Sequence, residues 1–475
     1  MPSHVEEGIG KIGSARDGVF SAPYRRLTSG VLLAVGLVAF ESLGVATVLP
    51  GIARELDGLN AYGWGLSALM LAQIVGAVAA GPAADRRGPA HPLALGLLVF
   101  AVGSALAGAA GTWPVFLAGR FAQGLGVGAV MGMAYTMVGL AYPEAMRARM
   151  FALLSAAWSI PSLVGPTLAA GIAAGTGWRG VFVLLLPLIA LAAVLTLPSA
   201  RRLDRSVQQD GEAGEGGTES RRASWKPIAY SVLLAAGTGL FVQALSLKNP
   251  VLLAVLAVVG GAVAVVTFRQ VTPSGTLTAR RGVGAGVDTR FLLCAVYFGS
   301  EAFLPLGLTQ LRDVNAAEAG LGLSAGALAW VLGSILQARR DGDSGHKGRN
   351  TGSGRVGGVV AGWALLLAGL AVMASGILVN EIPPWTAIVG WALGGIGMGI
   401  AFNAATTDTM EKAVRPGEAS AALQLAQTLA TALVSGLGGA ALAQGQTRPA
   451  LLATFALTGA LGVAGMLLAP RLRTT

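Results

Sequence analysis

Residues 81–92 read GPAADRRGPAHP: one acid and two arginines, flanked by glycines and prolines, at the junction of two long apolar runs. The runs on either side, 62–82 and 92–111, are each as long as a helix must be to cross hydrocarbon, about 20 residues at roughly 1.5 Å apiece. A carboxylate beside an arginine at such a junction has two readings. The cluster is either a charged end that keeps the loop on one side of a membrane, or a contact point for another part of the chain.

Outward from this junction the same pattern repeats. Apolar runs occupy 27–50, 62–82, 92–111, 114–141, 150–174 and 180–198, and a polar stretch closes the set at 199–227. Two more runs, 228–247 and 250–268, are joined by a short turn and followed by polar residues 269–287. The last six are 288–311, 315–337, 356–379, 384–405, 418–443 and 449–470. Fourteen spans are therefore expected. Hydrophobic residues make up 54% of the 475 and charged residues only 12%, with mean hydropathy +0.67. Soluble domains carry about a quarter charged residues, so a soluble protein of this size is excluded. Long unbroken apolar runs also exclude a β-barrel, whose strands alternate. The expected fold is all-α and polytopic. Two six-helix bundles at 27–198 and 288–470 flank two additional central helices at 228–268, with cytoplasmic linkers at 199–227 and 269–287. Residues 1–26 and 471–475 read as cytoplasmic tails, and no cleavable signal peptide is visible.

The net charge of +10 does not call for nucleic acid. With the N-terminus inside, 27 basic residues fall on the cytoplasmic side, counting Arg290 at a membrane edge, and only Arg54, Arg179, Lys248, Arg312 and Arg448 fall outside. That is the positive-inside bias, and it places both termini in the cytoplasm. Arginine far outnumbers lysine and Ala and Gly abound, as in GC-rich bacterial genomes, so the expected location is a bacterial cytoplasmic (inner) membrane. Cys294 is the single cysteine, so neither a disulfide framework nor a cysteine-built metal site is possible.

The two halves echo each other. GLSALMLAQIVGAV from Gly65 returns as GLSAGALAWVLGSI from Gly322, each in the second span of its set, and GLGVGA from Gly124 returns as GIGMGI from Gly395 in the fourth. Parallel repeats of this kind are a transporter architecture with substrate bound near the midplane. Within the spans lie ionisable residues that hydrocarbon penalises. Arg120 sits about seven residues below the outer end of its span, where an unpaired arginine costs about 2.5–3.5 kcal/mol. Glu41 and Glu301 are mid-span acids in the first helix of each half. Burial favours the protonated form of a carboxyl and an adjacent arginine favours the ionised form, so Glu41 and Arg120 together could exchange a proton with conformation. Snorkelling of Arg120 and structural hydrogen bonds from either glutamate are the plainer alternatives.

These residues also carry a resemblance. Gly81-Pro82-Ala83-Ala84-Asp85-Arg86-Arg87-Gly88 is similar to the loop signature G-x-x-x-D-R-x-G of the major facilitator superfamily, without the basic pair that usually follows. Arg120, Gln123 and Gly124 match its fourth-span motif R-x-x-Q-G, whose arginine is implicated in proton coupling; the second half has Trp391 there. Glu41 precedes Pro50 by the interval found in fourteen-helix drug:proton antiporters, with Glu for Asp. Pro161, Gly165 and Pro166 resemble the exporters' fifth-span motif in degenerate form, with Ala169 and Ala170 for its last glycines. "GWRGVF" from Gly177 resembles the entry to the sixth span, although Trp178 also fits an interfacial anchor.

The resemblance implies a proton-coupled efflux antiporter for amphipathic or hydrophobic small molecules, active in drug resistance and working by alternating access. Glu41, Arg120 and Glu301 are the expected proton-coupling residues, and Gln73, Gln123, Asn403 and Gln427 the expected residues of the substrate cavity. Gly81, Asp85, Arg86 and Gly88 would form a conformational latch, and Pro161, Gly165 and Pro166 a helix hinge. Its partners would be substrate, protons and the bilayer, with no nucleic acid and as a monomer. No Walker lysine motif, His/Cys cluster or nucleophile elbow is present, so neither an enzyme nor a cofactor or metal is expected, and the proton gradient supplies the energy. Export or flipping of a lipid or cell-envelope metabolite, and a non-transporting membrane scaffold or sensor, are the competing functions.

Overall fold

A backbone in hydrocarbon has no water to bond and must satisfy its own N–H and C=O groups, so the apolar runs are helical. The computed structural model describes residues 18–58, 64–213, 226–245, 247, 249–314, 316–345, 351–442 and 446–473. The described residues form fifteen α-helices. The first eight are α1 Arg25–Glu55, α2 Trp64–Arg87, α3 Ala90–Gly108, α4 Trp113–Ala141, α5 Glu144–Thr176, α6 Arg179–Ala213, α7 Lys226–Ala244 and α8 Pro250–Val271. The rest are α9 Val283–Glu301, α10 Leu304–Leu311, α11 Ala316–Gly345, α12 Thr351–Leu378, α13 Trp385–Lys412, α14 Pro416–Leu442 and α15 Thr447–Leu468. Most of the tail 1–26, residues 214–225 of the first linker and the last two residues lie outside the described residues.

Among the described residues thirteen stretches are long and apolar enough to cross a membrane, and the apolar part of α7, Lys226–Phe241, is a shorter fourteenth. The protein is thus a multi-pass membrane protein with the expected number of helical runs. One run differs: residues 288–311 are two helices, α9 and α10, broken at Ala302-Phe303. Pro305 explains the break. It has no N–H to give the Glu301 carbonyl four residues back, so a continuous helix would lose that bond and clash there.

Contacts divide the chain into two units. One is Met1–Val232 with Val414–Gln424, and the other is Leu233–Ala413 with Leu425–Thr475. In the first unit α4 crosses α2 and α3 at glycines. A Cβ on Gly124 would meet the Leu69 carbonyl, one on Gly128 the Gln73 carbonyl, and one on Gly76 the Leu125 carbonyl. Across the other face, Gly103 abuts the backbone of Ala122 and Gln123, and Gly126 abuts Gly96 and Phe100. The second unit repeats these contacts one for one. Gly395 meets Gly326, Gly399 meets Trp330 and Gly333 meets Ile396, while Gly369 and Gly362 of α12 meet Gly390, Gly394 and Gly397 of α13. The sequence echo is therefore a repeat of helix crossings, built on small residues that let backbones touch. The inserted helices α7 and α8 follow the same rule, with Gly237 against Gly260. Asn249 caps α8 by accepting from Val251 and Leu252 at 3.0 and 3.2 Å, with Pro250 in the first position of the helix.

Three arginines counted outside are held at helix C-termini, where free carbonyls favour cations. Arg312 donates to the carbonyl of Gly376 in the last turn of α12 and to those of Val379, Asn380 and Ile382 just beyond it, and Arg448 donates to Leu378 at 2.6 Å. In the first unit Arg179 donates to Ala110, just past α3, at 3.1 Å and pairs with Glu55 at 2.7 Å. That guanidinium holds exposed Glu55 below its usual carboxylate range. Trp178 is buried against Phe116 and Phe182 and donates to Glu55 at 2.8 Å, so it is a packed residue rather than an interfacial anchor.

Candidate functional site

Glu41 on α1 and Arg120 on α4 form an ion pair with 0% and 1% of their side chains exposed. The glycine crossings bring the remaining partners within reach. Arg120 Nε donates to the Gly65 carbonyl on α2 at 2.9 Å, and Nη1 donates to Gln123 Oε1 at 3.0 Å. Gln123 Nε2 donates to Ser104 Oγ on α3 at 3.0 Å, and Ser104 donates in turn to the Phe100 carbonyl at 2.8 Å. Four helices thus supply one chain of polar groups, and Arg120 is paired rather than snorkelled. Among the described residues, Glu41 Oε2 is buried and accepts no hydrogen bond. The structure therefore joins two of the three residues expected in coupling and leaves one carboxylate oxygen without a hydrogen bond among the described residues.

Glu301 belongs to the second unit. It is the last residue of α9, half-buried at the helix break, with no hydrogen bond or ion pair among the described residues. The place corresponding to Arg120 is filled by Trp391, which stacks on Tyr297 with ring centroids 4.5 Å apart; Trp330 meets the edge of the same ring. The second unit does hold buried cations, Arg290 on α9 and Arg355 on α12. Arg290 is 1% exposed, donates to Thr406 at 2.7 Å and lies 3.6 Å over the Phe402 ring. The arginine counted from sequence at a membrane edge is thus packed among helices. Arg355 is likewise buried and bridges Asp341, at 3.3 Å, and Glu411.

Two of the four expected cavity residues are spent on packing. Gln123 is fully buried between Arg120 and Ser104, and Asn403 is fully buried, donating to the Ser334 carbonyl at 3.1 Å and accepting from Thr407 at 3.2 Å. Neither lines a cavity here, because each amide is consumed inside a helix crossing. Gln73 and Gln427 are half-buried.

The junction at 81–92 is a contact point. Asp85 Oδ1 accepts from the Gly417 N–H at 2.7 Å and Oδ2 from the Glu418 N–H at 2.8 Å, capping the first turn of α14. Ser420, one turn on, donates to the Gly132 carbonyl of α4 at 2.8 Å. Each motif glycine has its reason. A Cβ on Gly81 would meet the Gly417 carbonyl and Ala421. Gly88 has φ +87°, which L side chains resist, and it packs on Asp204, whose carboxylate caps α3 by accepting from Ala90 at 2.9 Å. Arg86 is exposed and bonds the Pro82 carbonyl of its own helix at 3.0 Å, with no acid among the described residues. In the fifth span, α5 runs unbroken through Pro161, Gly165 and Pro166. Both prolines withhold a donor, from Ala157 and Ser162, and Gly36 of α1 packs at the Ala157 carbonyl.

Asp85→Asn keeps the size but turns one acceptor into a donor facing a backbone N–H. Amide hydrogen exchange at Gly417 or Glu418 is expected to speed up roughly tenfold, the worth of one charged hydrogen bond. Unchanged exchange at both amides would mean that the carboxylate does not hold this turn.

Comparison with known proteins accords with this geometry. The family model described as Major Facilitator Superfamily matches residues 31–435. A protein of Mycobacterium tuberculosis described as a probable multidrug-efflux transporter is 27% identical over 443 residues, covering 87% of each chain. Multidrug resistance protein Stp of the same organism is 28% identical over 87% of this chain and 75% of its own. Among solved structures, the human organic anion transporter MFSD10 superposes with TM-score 0.66 at 16% identity, covering 94% of this chain and 99% of that one. The proton:xylose symporter XylE gives 0.63 at 14% identity, covering 93% and 94%. With its repeated glycine crossings and its capped loop motif, this helical chain belongs to the Major Facilitator Superfamily.

Proposed function

We propose that this transporter is a proton-coupled exporter of amphipathic, hydrophobic or cationic small molecules, working by alternating access in a bacterial cytoplasmic membrane. The observation that carries the reading is the buried Glu41–Arg120 pair with its open Oε2. Breaking one partner of a buried pair is costly, so such a pair is stable only while both charges are present. A proton taken up on Oε2 neutralises the carboxylate, removes the attraction and frees the guanidinium for other acceptors. The same event changes the relative stability of any two conformations that hold the pair differently. The relatives described as multidrug efflux and resistance proteins support the direction of transport. Glu301, unpaired among the described residues and beside Tyr297, is assigned to cationic substrates, and Gln73 and Gln427 remain the amides available to a substrate. The monomer with both termini in the cytoplasm completes the reading.

Efflux of ethidium and of tetraphenylphosphonium from cells expressing the chain, with and without a protonophore, tests the function. Export is expected to collapse when the protonophore is added. Export of both probes at an undiminished rate would contradict proton coupling.

A further inference from the structure

Resting on the coupling role of Arg120, we propose that Ser104 of α3 is a positioning residue that fixes the orientation of the Gln123 amide and thereby holds the Arg120 guanidinium against Glu41. The hydrogen bonds have a direction that leaves little choice. Ser104 Oγ sits 2.8 Å from the Phe100 carbonyl, which can only accept, so the hydroxyl hydrogen points there. The hydroxyl can then only accept from its other neighbour, at 3.0 Å, and that neighbour must be the amide nitrogen of Gln123. The Gln123 oxygen is thereby turned to Arg120 Nη1 at 3.0 Å. Without the hydroxyl the amide nitrogen loses its acceptor, and only the guanidinium that the amide is meant to hold still fixes which way it points. The flipped amide would place donors against a guanidinium that has only donors. Ser104, Gln123 and Arg120 are all buried, so water does not stand in.

The second unit provides an internal control. Its α12–α13 crossing repeats the α3–α4 crossing glycine for glycine, with Gly362 and Gly369 where the first unit has Gly96 and Gly103. There the three polar residues are absent together. Leu370 stands for Ser104, Gly394 for Gln123 and Trp391 for Arg120, by the same repeat offsets. Leu370 and Trp391 are buried in an apolar core. The crossing therefore packs without the hydroxyl, and the hydroxyl occurs only where the arginine does.

The test uses the purified full-length chain in proteoliposomes with ethidium as the probe, comparing uphill export under an imposed proton gradient with downhill efflux. Ser104→Ala is expected to lower uphill export about five- to tenfold more than downhill efflux, the factor of one ordinary buried hydrogen bond. In a Gln123→Met background, where no amide is left to orient, adding Ser104→Ala is expected to have no further effect on that ratio. An equal fall of uphill and downhill rates, or the same added loss in the Gln123→Met background, would show that Ser104 merely packs and would overturn the proposal. Failure of the underlying reading looks different. Arg120→Lys would then retain the wild-type ratio, whereas an impaired Arg120→Lys beside an unaffected Ser104→Ala rejects Ser104 alone.

Discussion

Arg120→Met is expected to destabilise the protein by about 3–5 kcal/mol and to abolish uphill export, because it leaves Glu41 buried without its counter-charge. The site has no other cation among the described residues: Gly65 offers a carbonyl, and Gln123 and Ser104 are neutral. The double variant Glu41→Gln/Arg120→Met removes both charges and is expected to recover most of the lost thermal stability in detergent, since replacing a whole buried pair is often neutral. It is not expected to recover uphill export. This separation matters, because a purely structural pair would regain transport along with stability. Arg120→Lys occupies the middle ground: it keeps the charge but loses the fork that reaches Gly65, Gln123 and Glu41 together, so it should fold and couple poorly.

The other large effect lies in the glycine crossings. Gly103→Ile drives a branched side chain into the backbone of Ala122 and Gln123, where neither helix can yield without opening the crossing. Overpacking of a tight interface costs about 1–3 kcal/mol and more where backbone opposes backbone, so little folded protein is expected. Gly175→Ile on α5 is the control. Nothing lies within 4 Å of a Cβ there, and its thermal stability is expected to match the wild type. Equal losses from the two substitutions would mean that lost glycine flexibility, not close approach, is responsible.

Much of this fold is legible in the sequence because hydrocarbon imposes a simple rule: about 20 apolar residues per crossing, with glycine where helices touch. The echo between Gly65 and Gly322, and between Gly124 and Gly395, marks the second and fourth helix of each half, and the structure finds these helices crossing at glycines. The break after Glu301 was also written in the chain, as Pro305, but a run of mean hydropathy averages over a break that does not change polarity. Arg290 was hidden for another reason. A basic residue near the start of a span satisfies the positive-inside count, and its Phe402 and Thr406 partners come from a helix remote in sequence. Nothing in the sequence tells whether the Gln123 and Asn403 amides face a cavity or a neighbouring helix. An amide in an apolar helix can as well be consumed by a neighbouring helix, and only the hydrogen-bond partners distinguish the two. Glu41 and Arg120 were easier, since an acid and a base deep in hydrocarbon have few partners but each other.

The coupling role of Glu41 is tested most directly by Glu41→Gln in proteoliposomes, which keeps the shape and hydrogen-bonding capacity of the side chain and removes its titrating group. Uphill export of ethidium under an imposed proton gradient is expected to fail while downhill efflux through the same liposomes continues. Proton-driven uphill export at the wild-type rate would contradict the account, make Glu41 a structural residue and leave Glu301 as the remaining acid to carry the proton.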